Sequence, residues 1–257
     1  MSNPHSNLFM KYLSLALLLL VTIYGIQYQS QNPQITSTFS VTKNELPIYS
    51  VDTRENVLAL TFDSAWGTED LNDILQILKS HNAPATFFVT GEFAKNHPEA
   101  ILAIDHAGHE IANHGNTHKH MPQLSKKDMM KEIKDCEQTV YTITHKKMHL
   151  FRAPYSDWND DVVDVAHILG YMSINHSVDS LDWKDYGASS IVKTVCEHQN
   201  LEQGSIILLH NGTTYTKDAL DQMLTKLEQK GYSFVLVSDL IYYDHYSFDH
   251  TGKQFQK

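Results

Sequence analysis

Beyond residue 50 the chain alternates between two hydrophobic patterns. Short, mainly apolar runs at 57–62 (VLALTF), 85–89 (ATFFV), 110–113, 150–152, 171–175, 205–209 (SIILL) and 233–237 (SFVLV) predict strands. Between them lie stretches with helical spacing of apolar residues. Residues 69–81 place Leu71, Ile74, Leu75 and Leu78 on one face, and further helices are predicted at 93–106 (interrupted at Pro98), 125–144, 160–169, 189–197 and 217–230. Ser125, with Asp128 three residues on, offers an N-cap, and Gly170 and Gly231 end two of the helices. Strands separated by helices run parallel through right-handed crossovers. About seven such βα units predict an α/β fold that closes, or nearly closes, into a barrel; a doubly wound open sheet is the competing arrangement. Either way, reactive groups belong at the C-terminal ends of the strands.

The N-terminus breaks this pattern. Tyr12 to Ile26 (YLSLALLLLVTIYGI) is apolar and uncharged and follows Lys11, as a positive region precedes a hydrophobic helix. No small-residue cleavage site follows in QYQSQNPQ, so an uncleaved membrane anchor is expected ahead of a cleaved signal peptide. Lys11 places the remainder of the chain outside the cytoplasm. The expected organisation is 1–27 anchor or signal peptide, 28–50 polar linker, 51–242 catalytic-type domain and 243–257 loose C-terminal tail.

Composition narrows the partners. A formal net charge of -10 with no basic block argues against nucleic acid and fits a neutral or zwitterionic substrate. The hydrophobic fraction of 42% suffices for a sizeable core. The two cysteines, Cys136 and Cys196, form no CxxC pattern; they read as small buried hydrophobes, with one disulfide as the alternative.

The strand ends carry the chemistry. Asp63 follows the first strand, His114 and His118 the third, Arg152 and Tyr155 the fourth, Asp179, Asp182 and Trp183 the fifth, and His210 the sixth. In HGNTH, a helical turn would point the imidazoles of His114 and His118 the same way, as a metal site needs. His106, His109 and His120 read as ordinary surface or core histidines.

The ordered strings TFD, HxxxH, RAPY, DSLDW and LLH resemble the polysaccharide deacetylases of carbohydrate esterase family 4, the chitooligosaccharide-deacetylase homology domain. The resemblance covers about residues 55–240 and is nearest to the subgroup associated with sporulation. It implies a distorted (β/α) barrel and a metal-assisted hydrolase that removes N-acetyl groups from an amino-sugar polymer, peptidoglycan foremost. It also implies roles. Asp63 would be the general base, paired with Arg152; His114 and His118 would ligate a divalent metal, usually zinc. The backbone N–H of Tyr155 would hold the oxyanion, and His210, oriented by Asp182, would be the general acid. Leu208 and Trp183 would form a slot for the acetyl methyl.

One position departs from the pattern. The family's first motif has two adjacent aspartates, the second a metal ligand; here the pair is Asp63-Ser64. Three outcomes stay open: the metal is held by the two histidines and water, Asp63 itself ligates it, or no metal binds. Trp66 and Gly67 mark a reshaped loop beside it. Two other functions therefore stand beside the hydrolase: a non-catalytic glycan-binding module and an interaction protein of a cell-envelope assembly.

Overall fold

The computed structural model describes residues 46–257. The expected anchor or signal peptide and the linker up to residue 45 lie outside the described residues. Among the described residues no helix is long and apolar enough to cross a membrane.

The chain enters through β1 (Ser50–Val51) and β2 (Val57–Ser64), followed by α1 (Leu71–Ser80), β3 (Ala85–Val89), α2 (Gly91–Asn96), α3 (Pro98–His106) and β4 (Glu110–Asn113). Next come α4 (Lys126–Thr144), β5 (Leu150–Phe151), α5 (Asp160–Ile168), β6 (Met172–Ser173), β7 (Val178–Asp179), α6 (Ala188–Cys196), β8 (Ile206–His210) and α7 (Thr216–Gln229). The last elements are β9 (Ser233–Phe234), α8 (Val237–Leu240), β10 (Tyr246–Phe248) and β11 (Lys253–Gln256). Local signals set several boundaries. The Ser125 hydroxyl accepts from Asp128 N–H at 3.2 Å, capping α4, and Pro98 starts α3 at a position where its missing N–H costs nothing. Gly170 and Gly231 follow α5 and α7 with φ of 85° and 87°, which only glycine adopts without strain.

The main sheet runs β6-β5-β4-β3-β2-β8-β7, every pair parallel, with β9 pairing the start of β2. Its edges, β6 and β7, are consecutive in the chain, and residues just before β2 bridge β6 to the turn that leads into β8. Ile48 N–H donates to Ser173 O at 2.8 Å, Asn175 N–H to Ile48 O at 2.7 Å, and Val51 N–H to Gly204 O at 3.0 Å. The sheet is thus curled into a distorted barrel rather than spread as a doubly wound sheet. The end of the expected linker is built into the fold: Ile48 and Ser50 are buried.

All eight residues of β2 are buried, as in a parallel strand covered on both faces. Leu58, Leu60 and Phe62 pack with Leu71, Ile74 and Leu78 of α1. The alternate residues Val57 and Ala59 join a second cluster with Phe88, Ala112, Leu150 and Ile206 that fills the barrel. Inward positions follow period two, so the next ones along each strand are Thr61 and Asp63, His114, Arg152, and Leu208 and His210. The barrel is apolar at its base and becomes polar at its C-terminal mouth.

Three expectations need correction. Residues 243–257 are not a loose tail: β10 and β11 form an antiparallel hairpin whose β11 pairs with β1, and Gln254 is fully buried. The strand expected at 233–237 stops at Phe234, and α8 follows. A two-residue strand, β7, was not legible, being too short to show periodicity. Cys136 and Cys196 are both buried free thiols, and burial pushes Cys136 up to about 12.

Candidate active site

Arg152 lies at the centre of the barrel mouth and is fully buried. Its Nη1 donates to Asp63 Oδ1 at 2.7 Å and to the Thr61 hydroxyl at 2.9 Å, and Nη2 donates to Asn175 O at 3.1 Å. Its guanidinium carbon stands 4.1 Å over the Phe88 ring. Burial alone would raise the Asp63 carboxyl; the surrounding imidazoles and the Arg152 cation outweigh it and hold Asp63 at about 2. Asp63 is therefore ionised at any working pH, with Oδ2 left for other partners.

His114 Nε2 is 3.4 Å from that Oδ2, while His114 Nδ1 lies 2.9 Å from Arg152 O. A carbonyl only accepts, so Nδ1 carries the proton and Nε2 presents a lone pair. That Nε2 is buried with no hydrogen-bond partner among the described residues. Burial lowers His114, and burial with its neighbouring imidazoles brings His118 down to about 4, so both rings are neutral near pH 7. The ring centroids of the pair are 5.1 Å apart. They are not brought together by a helical turn. Residues 114–119 form an irregular loop, and His118 has a left-handed φ of 53°.

Glu132 builds that loop. Its carboxylate accepts from Asn116 N–H (3.0 Å), Thr117 N–H (2.7 Å), the Thr117 hydroxyl (2.8 Å) and Lys119 Nζ (3.3 Å). Asn113 assists, its Oδ1 accepting from Gly115 N–H at 2.9 Å. The sequence reading overlooked Glu132. The available signal was a charged residue on the apolar face of a helix, beside Met129, Ile133 and Cys136, all buried.

His210, on β8, is the register partner of Asp63, and Asp182 is the group that holds it. Asp182 is fully buried and accepts three times: from His210 N–H (2.7 Å), from His210 Nδ1 (2.7 Å) and from the Thr216 hydroxyl (2.7 Å). With Nδ1–H so engaged, Nε2 is the free nitrogen of His210. Burial would lower this imidazole, but the hydrogen bond and charge of Asp182, with Asp63 behind, raise it overall.

The rim is aromatic. Tyr155 is 56% exposed and adopts φ 61°, ψ 12° in the turn Pro154–Ser156, a left-handed conformation that costs a non-glycine residue about 1–3 kcal/mol. The turn bonds are donated by the N–H groups of Ser156 and Asp157. Tyr155 packs against His118 (4.4 Å) and stacks on His120 (4.1 Å), so His120 belongs to the rim rather than to a plain surface. Trp183 stands half-exposed beside Asp182, and Leu208, nearly buried, lies two residues before His210 on β8. Trp66 approaches both His118 and His210. Cavities of about 500 and 620 Å³ lie elsewhere and hold none of these residues.

Two neutral imidazoles, one with a buried and unused lone pair, fit a divalent cation. They make an incomplete set. Among the described residues no three His, Cys, Asp or Glu side chains converge as a cage, and the Ser64 hydroxyl beside Asp63 is buried without a partner.

The same frame recurs in known proteins. The family profile described as polysaccharide deacetylase matches residues 50–174. The peptidoglycan-N-acetylmuramic acid deacetylase PdaA of Bacillus subtilis is 32% identical, over 76% of this chain and 74% of its own length. A peptidoglycan-N-acetylglucosamine deacetylase of Bacillus cereus is 33% identical, over 77% of this chain and 93% of its own. Among solved structures, BA3943 of Bacillus anthracis superimposes with a TM-score of 0.73 and 32% identity, covering 77% of this chain and 69% of that one. It is described as a pseudoenzyme of carbohydrate esterase family 4, and a mutant of it as having restored enzymatic activity.

Proposed function

Since the chain belongs to the polysaccharide deacetylase family, we propose that it hydrolyses N-acetyl groups on an amino-sugar polymer, with cell-wall peptidoglycan as the substrate class. The observation that carries this reading is a pair on neighbouring strands of one mouth: on β2 the ionised Asp63 carboxylate held by Arg152, and beside it, as its register partner on β8, the His210 imidazole held by Asp182. His114 and His118 would hold the metal; a divalent ion there, zinc in this proposal, would polarise the acetamide carbonyl and acidify water.

The residues divide the work as follows. Asp63 Oδ2 takes the proton of the attacking water as its oxygen bonds the carbonyl carbon. The Tyr155 N–H faces the oxygen that gains charge. His210 Nε2–H gives its proton to the amide nitrogen as the C–N bond breaks, releasing acetate and a free amine. Asp182 keeps the Nδ1–H of His210 in place and stabilises the cation whose second proton, on Nε2, is the one transferred. Leu208 and Trp183 line the place of the acetyl methyl. The protein works outside the cytoplasm, held by or cleaved from the segment at 12–26, and the link to sporulation rests on the same family resemblance.

The direction of the His210 shift gives a pH test. The acid form of His210 is needed, and it persists below a pKa raised above the ordinary 6.5. Acetate release from N-acetylated peptidoglycan should hold below that raised value and fall as pH climbs through it. Asp182→Asn should move this alkaline limb to lower pH. A limb that stays put in Asp182→Asn would remove His210 from the acid role.

The binding-module reading keeps one specific support. Ser64 stands where the family places a ligand aspartate, and a similar structure is a described pseudoenzyme.

A further inference from the structure

The loop after β2 carries a tryptophan into the mouth, and the loop after β8 fixes it there. Asn211 Nδ2 donates to Gly67 O at 2.6 Å, and Gly212 N–H to Asp70 Oδ1 at 2.8 Å. The two backbones touch so closely that a Cβ on Gly212 would lie 3.0 Å from the Gly67 nitrogen. Trp66 is therefore set in place relative to His210, the residue just before Asn211.

The indole centroid is 5.7 Å from the ring of His210 and 5.8 Å from that of His118. Trp66 therefore touches both the candidate metal ligand and the candidate acid of the reaction site. Yet the ring is 50% exposed. A large aromatic held by backbone clamps but half in water gains by being covered, and an aromatic face suits a ring that offers C–H groups on one side and hydroxyls at its edge. A pyranose is such a ring. The position also decides which ring: the indole lies beside His210, so the sugar it would carry is the one whose acetamide reaches His210.

Building on the deacetylase reading above, we propose that Trp66 is the platform on which the sugar undergoing deacetylation stacks, so that its acetamide is presented between Asp63 and His210. Trp66 contacts substrate but moves no proton. It acts on binding and positioning, and it selects for sugars with a flat, unobstructed face.

The test titrates full-length protein, chelated so that glycan binds without turnover, with the tetramer of N-acetylglucosamine, by calorimetry and tryptophan fluorescence. Trp66→Ala should weaken binding about tenfold and remove most of the ligand-induced fluorescence change, whereas Trp66→Phe, which keeps a ring, should lose about threefold. With metal restored, KM should rise in step with Kd and kcat should change less. Unchanged Kd and KM in Trp66→Ala would overturn the inference while leaving the deacetylase reading intact. A wild type that binds and cleaves no N-acetylated glycan would overturn the deacetylase reading, and this inference with it. Trp66 is at the surface, so thermal midpoints should match; if the alanine variant failed to fold, the phenylalanine variant would carry the comparison.

Discussion

His210→Ala should lower acetate release by about a thousandfold or more, while glycan affinity stays within about threefold of wild type. The size follows from how completely the ring is committed. Asp182 holds both the backbone N–H and Nδ1–H of His210, each at 2.7 Å, leaving Nε2 as the one nitrogen for the substrate. An amine anion is a poor leaving group, so without that proton the C–N bond does not break at a useful rate. The variant keeps Asp63, Arg152 and both candidate ligands, so binding should survive. Acetate assays beside calorimetry separate the two quantities, and equal losses in both would mean that His210 positions the glycan instead.

Arg152→Met should destabilise the domain by about 3–5 kcal/mol and abolish activity. Methionine fills much of the same volume and removes the cation. Asp63, only 5% exposed, is then a buried carboxylate without its permanent partner. Burial pushes its pKa up, and Thr61 and Asn175 lose their donor as well. The sign can be checked against pH. Asp63 is depressed from 3.8 to about 2 by His114 and by Arg152, so the Arg152 share of that stabilisation is complete above the unfolded value and fades as pH falls toward the folded one. The stability gap between wild type and Arg152→Met should therefore be widest near neutrality and narrow between about pH 4 and 2. In thermal unfolding at pH 7 the midpoint should drop by roughly 10 °C.

Much of this arrangement was legible in the chain because barrel physics ties chemistry to strand ends. Asp63, His114, Arg152 and His210 share the inward parity of their strands or lie one step beyond them, so alternation and strand position alone brought them to one mouth. Asp182 and His118 were harder: they sit on loops beyond the strand ends, where alternation no longer fixes a direction. The route by which His118 reaches His114 was misjudged because a four-residue spacing is ambiguous between a helical turn and a loop, and Glu132, which decides it, lies in another element. Gln254 shows the converse. A polar residue in a polar tail gives no warning that it is buried, yet its side chain is spent on Tyr242, donating to the carbonyl and accepting from the N–H. The Trp66 platform was visible only as an odd residue until the clamps from Asn211 and Gly212 were located.

Ser64 remains the position on which the central claim turns. An uncharged hydroxyl in place of a carboxylate weakens a divalent site without touching Asp63, Arg152 or His210. The most direct measurement is acetate release from N-acetylated peptidoglycan by the full-length protein after chelation, followed across a Zn²⁺ titration and repeated for Ser64→Asp. Release should vanish on chelation and return with zinc, and the aspartate variant should recover at lower zinc than wild type. Glycan binding without acetate release from the wild type at any zinc concentration would contradict the account and establish a binding module on a deacetylase frame.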